Sequence, residues 1–110
     1  MGKSSLGELE LMVLLAVMQL GEDEAHTLAI VDAIHQRTGR AVQRAAVYVT
    51  LQRLEKKSLV ASWLAAPRPE RGGKGRRHVR AEPAGVQAVR ETRAALQSMW
   101  QGLEPALGEP

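Results

Sequence analysis

The chain has 110 residues, 45% apolar and 25% charged, a balance that fits one soluble globular domain and excludes both wholesale disorder and a membrane-spanning architecture. The absence of cysteine excludes a disulfide framework, a thiolate zinc site, a Cys nucleophile and a thiol redox sensor. The net charge of +3 hides a division, because residues 37–80 hold twelve Lys or Arg against Glu55 and Glu70, a net +10, while the remainder carries −7. Such asymmetry points to a half that faces a polyanion and a half that does something else.

Tyr48, Trp63 and Trp100 are the only aromatic residues, so the core has to be built from Leu, Val, Ile, Met and Ala, which favours helices. Residues 6–20 are predicted to form a helix with two apolar sides, Leu9, Val13, Val17 and Leu20 on one and Leu11, Leu15 and Met18 on another. A helix apolar on both sides is sandwiched. A second helix is expected from Thr27, as N-cap, to about residue 38, with Leu28, Ile30, Val31 and Ile34 apolar and Gly39 beyond its C-terminus. The third, over residues 44–57, has a core stripe of Val47, Leu51 and Leu54 and an outward face of Ala45, Val49, Gln52, Arg53 and Lys56.

The apolar period then shortens from 3.6 to about 2, which predicts a strand over residues 59–66. Residues 67–75, rich in Pro, Gly and Arg, read as a turn, and residues 76–82 return as a second strand, giving a hairpin with a basic tip. Pro83 suits the first turn of a final helix running to about residue 103, with Val86, Val89, Leu96, Trp100 and Leu103 on a heptad-like seam. Residues 1–5 and 104–110 are expected to fray.

Three helices followed by a two-stranded hairpin is the element order of a winged helix-turn-helix domain, in which the third helix enters the major groove and the hairpin touches the flanking backbone. The basic block falls on the parts that would face phosphates. The expected fold is therefore mainly α with a small β-hairpin. Residues 1–82 form the DNA-binding unit, and residues 83–110 form a dimerisation helix and tail within the same structural unit.

Three stretches carry a family resemblance. Leu6-Gly7-Glu8-Leu9-Glu10-Leu11-Met12-Val13-Leu14-Leu15 resembles the opening of the PadR family of bacterial transcriptional regulators. Val47-Tyr48-Val49-Thr50-Leu51-Gln52-Arg53-Leu54-Glu55 resembles that family's recognition helix, and Arg71-Gly72-Gly73-Lys74-Gly75-Arg76-Arg77 its glycine-rich basic wing. The likeness continues through Glu82-Pro83-Ala84-Gly85 and covers residues 6–103. The chain departs from the family's usual pattern at His26-Thr27, Val49, His78-Val79 and Glu82, so no operator sequence is carried over.

The resemblance implies a dimeric DNA-binding regulator of repressor type, acting on a pseudopalindromic operator and released by a signal; a cytoplasmic location is expected because the longest apolar run, residues 11–18, is too short for a membrane span and no signal-peptide pattern precedes it. The expected DNA contacts are Arg44, Tyr48, Thr50, Gln52, Arg53 and Lys56 on the third helix and Arg71, Lys74, Arg76 and Arg77 in the wing. Arg53 suits guanine and Gln52 adenine, whereas Thr50 and Tyr48 equally suit phosphate. Tyr48 has an alternative, packing on the core with only its hydroxyl exposed. The basic residues of the wing have one too, simply keeping a hairpin soluble.

A monomer this short buries only about 60 to 65% of its unfolded surface, which favours oligomers. A two-fold dimer is expected through Leu11, Leu15, Met18, Val89, Leu96, Met99, Trp100 and Leu103. Trp100 is either filler in that interface or, with Leu96, a wall of a site for a planar aromatic effector, as the resemblance implies for multidrug-sensing members. Trp63 is expected to pack under the hairpin.

His26, His35 and His78 are too dispersed along the chain for a metal site, so no metal or cofactor is expected. Gly72-Gly73-Lys74-Gly75 lacks the spacing of a mononucleotide loop, and no nucleophile-base-acid set or catalytic carboxylate pair is visible. The rival readings are a penicillinase-repressor-like regulator released by proteolysis and a winged-helix module whose basic face docks an acidic protein.

Overall fold

A computed structural model of the chain describes residues 6–66 and 75–109. The element order is α1 (Glu8–Leu20), α2 (Thr27–Thr38), α3 (Arg44–Lys56), β1 (Val60–Leu64), β2 (Arg77–Ala81) and α4 (Pro83–Trp100). Of the turn expected over residues 67–75, residues 67–74 lie outside the described residues.

Helix α1 starts where the Gly7 N–H donates to Glu10 Oε1 at 3.0 Å, with Glu8 and Glu10 placing negative charge at the positive end of the helix dipole. It buries Val13, Leu14, Ala16 and Val17. Leu14 belonged to neither expected stripe yet is fully buried, because α2, α3, β2 and α4 all pack around this helix. Leu15 and Met18 remain exposed and Leu11 half-buried.

The N-cap of α2 is His26 rather than Thr27, its Nδ1 accepting from the Ala29 N–H at 3.3 Å. The helix starts one residue early, because the chain before it is extended and bound to the hairpin as far as His26: His26 bridges His78, and the Val79 N–H donates to the Ala25 carbonyl at 2.9 Å. At the other end Gly39 takes φ 73°, the left-handed conformation that glycine adopts without cost, and its N–H closes onto the His35 carbonyl. Leu28, expected on the apolar stripe, is exposed, while Ile30 and Ile34 enter the core.

Strands β1 and β2 pair antiparallel in the register Val60↔Ala81, Ser62↔Val79, Leu64↔Arg77. Both are shorter than predicted, though the Ala65 N–H still donates to the Arg76 carbonyl at 2.7 Å. Trp63 packs on the hairpin as expected, opposite its register partner His78, with ring centroids 6.0 Å apart and the Arg80 guanidinium 5.9 Å from the indole centroid.

Pro83 occupies the first turn of α4, where its missing N–H costs nothing. Two residues later the helix presses against the start of β1: Gly85 is buried, and a Cβ there would run into the Leu59 carbonyl oxygen. Val89 packs against the core of its own chain rather than standing free at an interface. The helix ends at Trp100, before the expected seam is complete, because Gly102 turns the chain at φ 87° and leaves Leu103 beyond the helix.

Residues 93–100 are all exposed, so half of α4 projects from the body. The radius of gyration of 15.9 Å exceeds the roughly 13 Å of a compact chain of this length. Among the described residues no helix is long and apolar enough to cross a membrane.

Candidate nucleic-acid interface

The three-helix body holds α3 by Val47, Thr50, Leu51 and Leu54, which leaves Arg44, Ala45, Tyr48, Val49, Gln52, Arg53 and Lys56 exposed along the opposite side. Tyr48 is 51% exposed, so it is not a core residue showing only its hydroxyl. Thr50 corrects the sequence-based expectation. It is 4% exposed and its Oγ1 donates to the Ala46 carbonyl at 2.8 Å, so it faces the core with its polarity satisfied within the helix.

The hairpin brings Arg76 and Arg77 back beside the N-terminal halves of α2 and α3. Together with Arg44, His26, Thr27 and Tyr48 they line an open cup of about 490 Å³. Three guanidinium groups and the positive end of α2 thus converge on one concave surface, a chemistry that suits phosphate oxygens.

Two of those arginines are held by neighbours. Arg77 Nη1 donates to Ser62 Oγ at 2.9 Å, and Ser62 Oγ in turn donates to Glu55 Oε1 at 2.9 Å, a chain linking wing to recognition helix. Arg76 Nη1 lies 2.9 Å from His26 Nε2. Arginine only donates, and a neutral imidazole has one bare nitrogen, so this contact competes with the helix cap that His26 Nδ1 gives Ala29. The His78 ring sits 5.6 Å from that of His26, with its Nδ1 3.1 Å from the Glu22 carbonyl.

Part of the basic block is spent elsewhere. Arg40 pairs with Glu8 at 2.9 Å, Lys57 with Glu10 at 2.8 Å and Arg80 with Glu82 at 3.2 Å. Arg37, at the end of α2, donates to Gln19 Oε1 at 3.1 Å; the cations that stand beside the exposed face of α3 are Arg44, Arg53 and Lys56 on the helix itself and Arg76 and Arg77 at the wing base. Arg71 and Lys74 lie outside the described residues. Glu55, Ser62 and His26 were not anticipated as parts of the site; Glu55 alone left a trace, as one of two acids in a run of twelve cations.

At the far end of the molecule Leu96, Met99 (77% exposed), Trp100 (53%), Leu103 and Leu107 are uncovered, as are Leu15 and Met18 of α1. Trp100 lines a shallow hollow of about 220 Å³ with Glu104, Leu107 and Glu109, and Leu96 is not among its walls. Among the described residues no group of three or more His, Asp or Glu is placed to hold a metal ion.

Three packed helices, the third presenting one exposed face beside an antiparallel hairpin, define a winged helix-turn-helix protein. No protein-family model matches the sequence, and no curated protein matches it. Solved structures do match its fold. A PadR family transcription regulator from Clostridium difficile superposes with a TM-score of 0.74 at 14% identity, covering 92% of this chain and 99% of that one. A PadR family transcriptional regulator from Eggerthella lenta gives 0.69 at 26% identity, covering 87% and 80%. BpsR of Bordetella bronchiseptica, whose DNA binding is regulated by 6-hydroxynicotinic acid, gives 0.62 at 24% identity, covering 94% and 67%. The chain therefore has the winged-helix fold of the PadR-type regulators, as its motifs implied.

Proposed function

We propose that the protein is a sequence-specific DNA-binding transcriptional regulator, a two-fold dimer of repressor type whose two α3 helices enter successive major grooves of a pseudopalindromic operator. The observation that carries this reading is the convergence of Arg44, Arg76 and Arg77 on one cup beside the exposed face of α3. Arg53 and Gln52 supply base-edge donors, and Tyr48, Lys56, Arg71 and Lys74 contact the backbone. Residues 1–82 bind DNA and residues 83–110 assemble the dimer.

The uncovered apolar residues of α1 and of the projecting half of α4 support the dimer, because exposed patches of this kind mark association surfaces. Light scattering at micromolar concentration should give twice the 12.0 kDa of one chain. Enrichment from random duplexes should return two half-sites about one helical turn, or 34 Å, apart. A single unpaired half-site, or no enrichment, contradicts the reading.

Trp100, beside Leu96 at this end, is the candidate effector contact. The support is its exposure together with the fold likeness to BpsR, whose own DNA binding answers to a planar heteroaromatic acid. In a Trp63→Phe background a planar aromatic effector should quench Trp100 and shift operator affinity together; quenching without a shift rejects it as a signal.

A further inference from the structure

The face of α3 that points directly away from the core is apolar in its first half. At about 100° per residue, Val47, Thr50, Leu51 and Leu54 centre the buried side, and Ala45, Val49, Gln52 and Lys56 lie opposite at i, i+4, i+7 and i+11. Val49 is 44% exposed and Ala45 is exposed beside it. Neither packs against the core, and neither can hydrogen-bond a phosphate or a base edge through its side chain.

What surrounds them limits what could cover them. Arg44, Arg53 and Lys56 stand on the same helix, and Ala45 shares the cup with Arg76 and Arg77 of the wing as well as with Leu28 and Tyr48, so the small apolar patch lies among cations. An apolar protein surface would have to strip those charges of water, whereas a major groove offers phosphates to the cations and, on its floor, one apolar group. That group is the 5-methyl of thymine.

We infer that Val49 reads the 5-methyl group of one thymine in each half-site, with the small side chain of Ala45 letting the helix approach closely enough for contact. Val49 is thus a specificity-determining residue that acts by shape and desolvation, next to Gln52, which acts by hydrogen bonding one turn further along. The inference rests on the DNA-binding reading above and adds the chemistry by which one operator position is chosen.

The test uses the full chain and the duplex obtained by enrichment, with each thymine replaced in turn by deoxyuridine, which removes the methyl and nothing else. One position per half-site should weaken binding about three- to five-fold, the effect of uncovering one methyl group. In Val49→Ala that thymine-to-uracil difference should fall to about 1.5-fold or less, since the methyl then meets a void. Because the difference is taken between two duplexes on one protein, a general loss of affinity in the variant does not mimic it.

A scan in which no uracil weakens the parent protein overturns the inference, as does a penalty of the same size in Val49→Ala. So does an enriched site lacking thymine. Those results leave the regulator reading standing if the parent duplex still binds with salt sensitivity; absence of duplex binding removes both.

Discussion

Arg53 and Arg77 divide two tasks that a contact count would merge. Arg53 stands exposed on α3, where the proposed function puts base edges, whereas Arg77 is fastened through Ser62 to Glu55 beside the cup that suits phosphates. Arg53→Ala should cost about 1 to 3 kcal/mol on the enriched duplex and little on a scrambled one, while Arg77→Ala should weaken both alike, because phosphate carries no sequence information. Anisotropy titrations on the two duplexes decide it, and equal losses for Arg53→Ala would move that residue to the phosphate class.

Glu10 matters to the fold rather than to DNA. Burial pushes its carboxyl up, but the hydrogen bonds from Lys57 and the Gly7 N–H and the charges of Lys57 and Arg53 outweigh this and hold it below the ordinary value of 4.5. A lowered folded value means that the group's contribution is present above the ordinary carboxylate range and is lost as pH falls through the folded value. With Lys57 still 40% exposed, Glu10→Gln should cost about 0.5 to 1 kcal/mol at neutral pH. It should also flatten the loss of stability between about pH 5 and pH 3. Urea unfolding at both ends of that range reads the effect, and an unchanged slope contradicts it.

At the scale of elements, the joint between α4 and the rest depends on Gly85. Its neighbour is backbone, the Leu59 carbonyl, which also accepts from the Glu82 N–H at 2.9 Å and so cannot move aside. Gly85→Ala should destabilise by about 1 to 3 kcal/mol, as overpacking does, despite the better helix propensity of alanine. A thermal midpoint at or above that of the parent would show that the helix shifts without penalty.

The elements themselves were legible in the sequence: apolar periodicity, Gly39, Pro83 and the change of period after α3 each announce a boundary through local chemistry. What was hidden needed a partner from far along the chain. Thr50 reads as polar and outward until α3 is seen to bury a wider stripe and to satisfy the hydroxyl at Ala46. His26 becomes the cap of α2 because β2, more than fifty residues later, pulls the preceding backbone into an extended strand. Arg40 and Lys57 counted toward the basic block, yet their counter-charges lie on α1, 32 and 47 residues away.

For the molecule as a whole, charge and apolarity largely separate by location. Cations gather around α3 and the wing base, and most of the large uncovered apolar residues around α1 and the end of α4, with Leu28, Tyr48, Val49 and Leu64 the exceptions, so the proposed DNA contact and the proposed pairing with a second copy fall on different surfaces. On the proposed dimer, the projecting half of α4 would set the distance between the two recognition helices, and a signal that moved it would change the fit to successive grooves.

The central claim, that α3 and the wing form a polyanion-binding face, is tested most directly by operator affinity measured across roughly 50 to 200 mM salt. With Arg44, Lys56, Arg71, Lys74, Arg76 and Arg77 contributing about 0.9 per phosphate neutralised, log K should fall linearly with log salt, with a slope between about −5 and −11 for one to two engaged protomers. An affinity that ignores salt over that range would contradict the account.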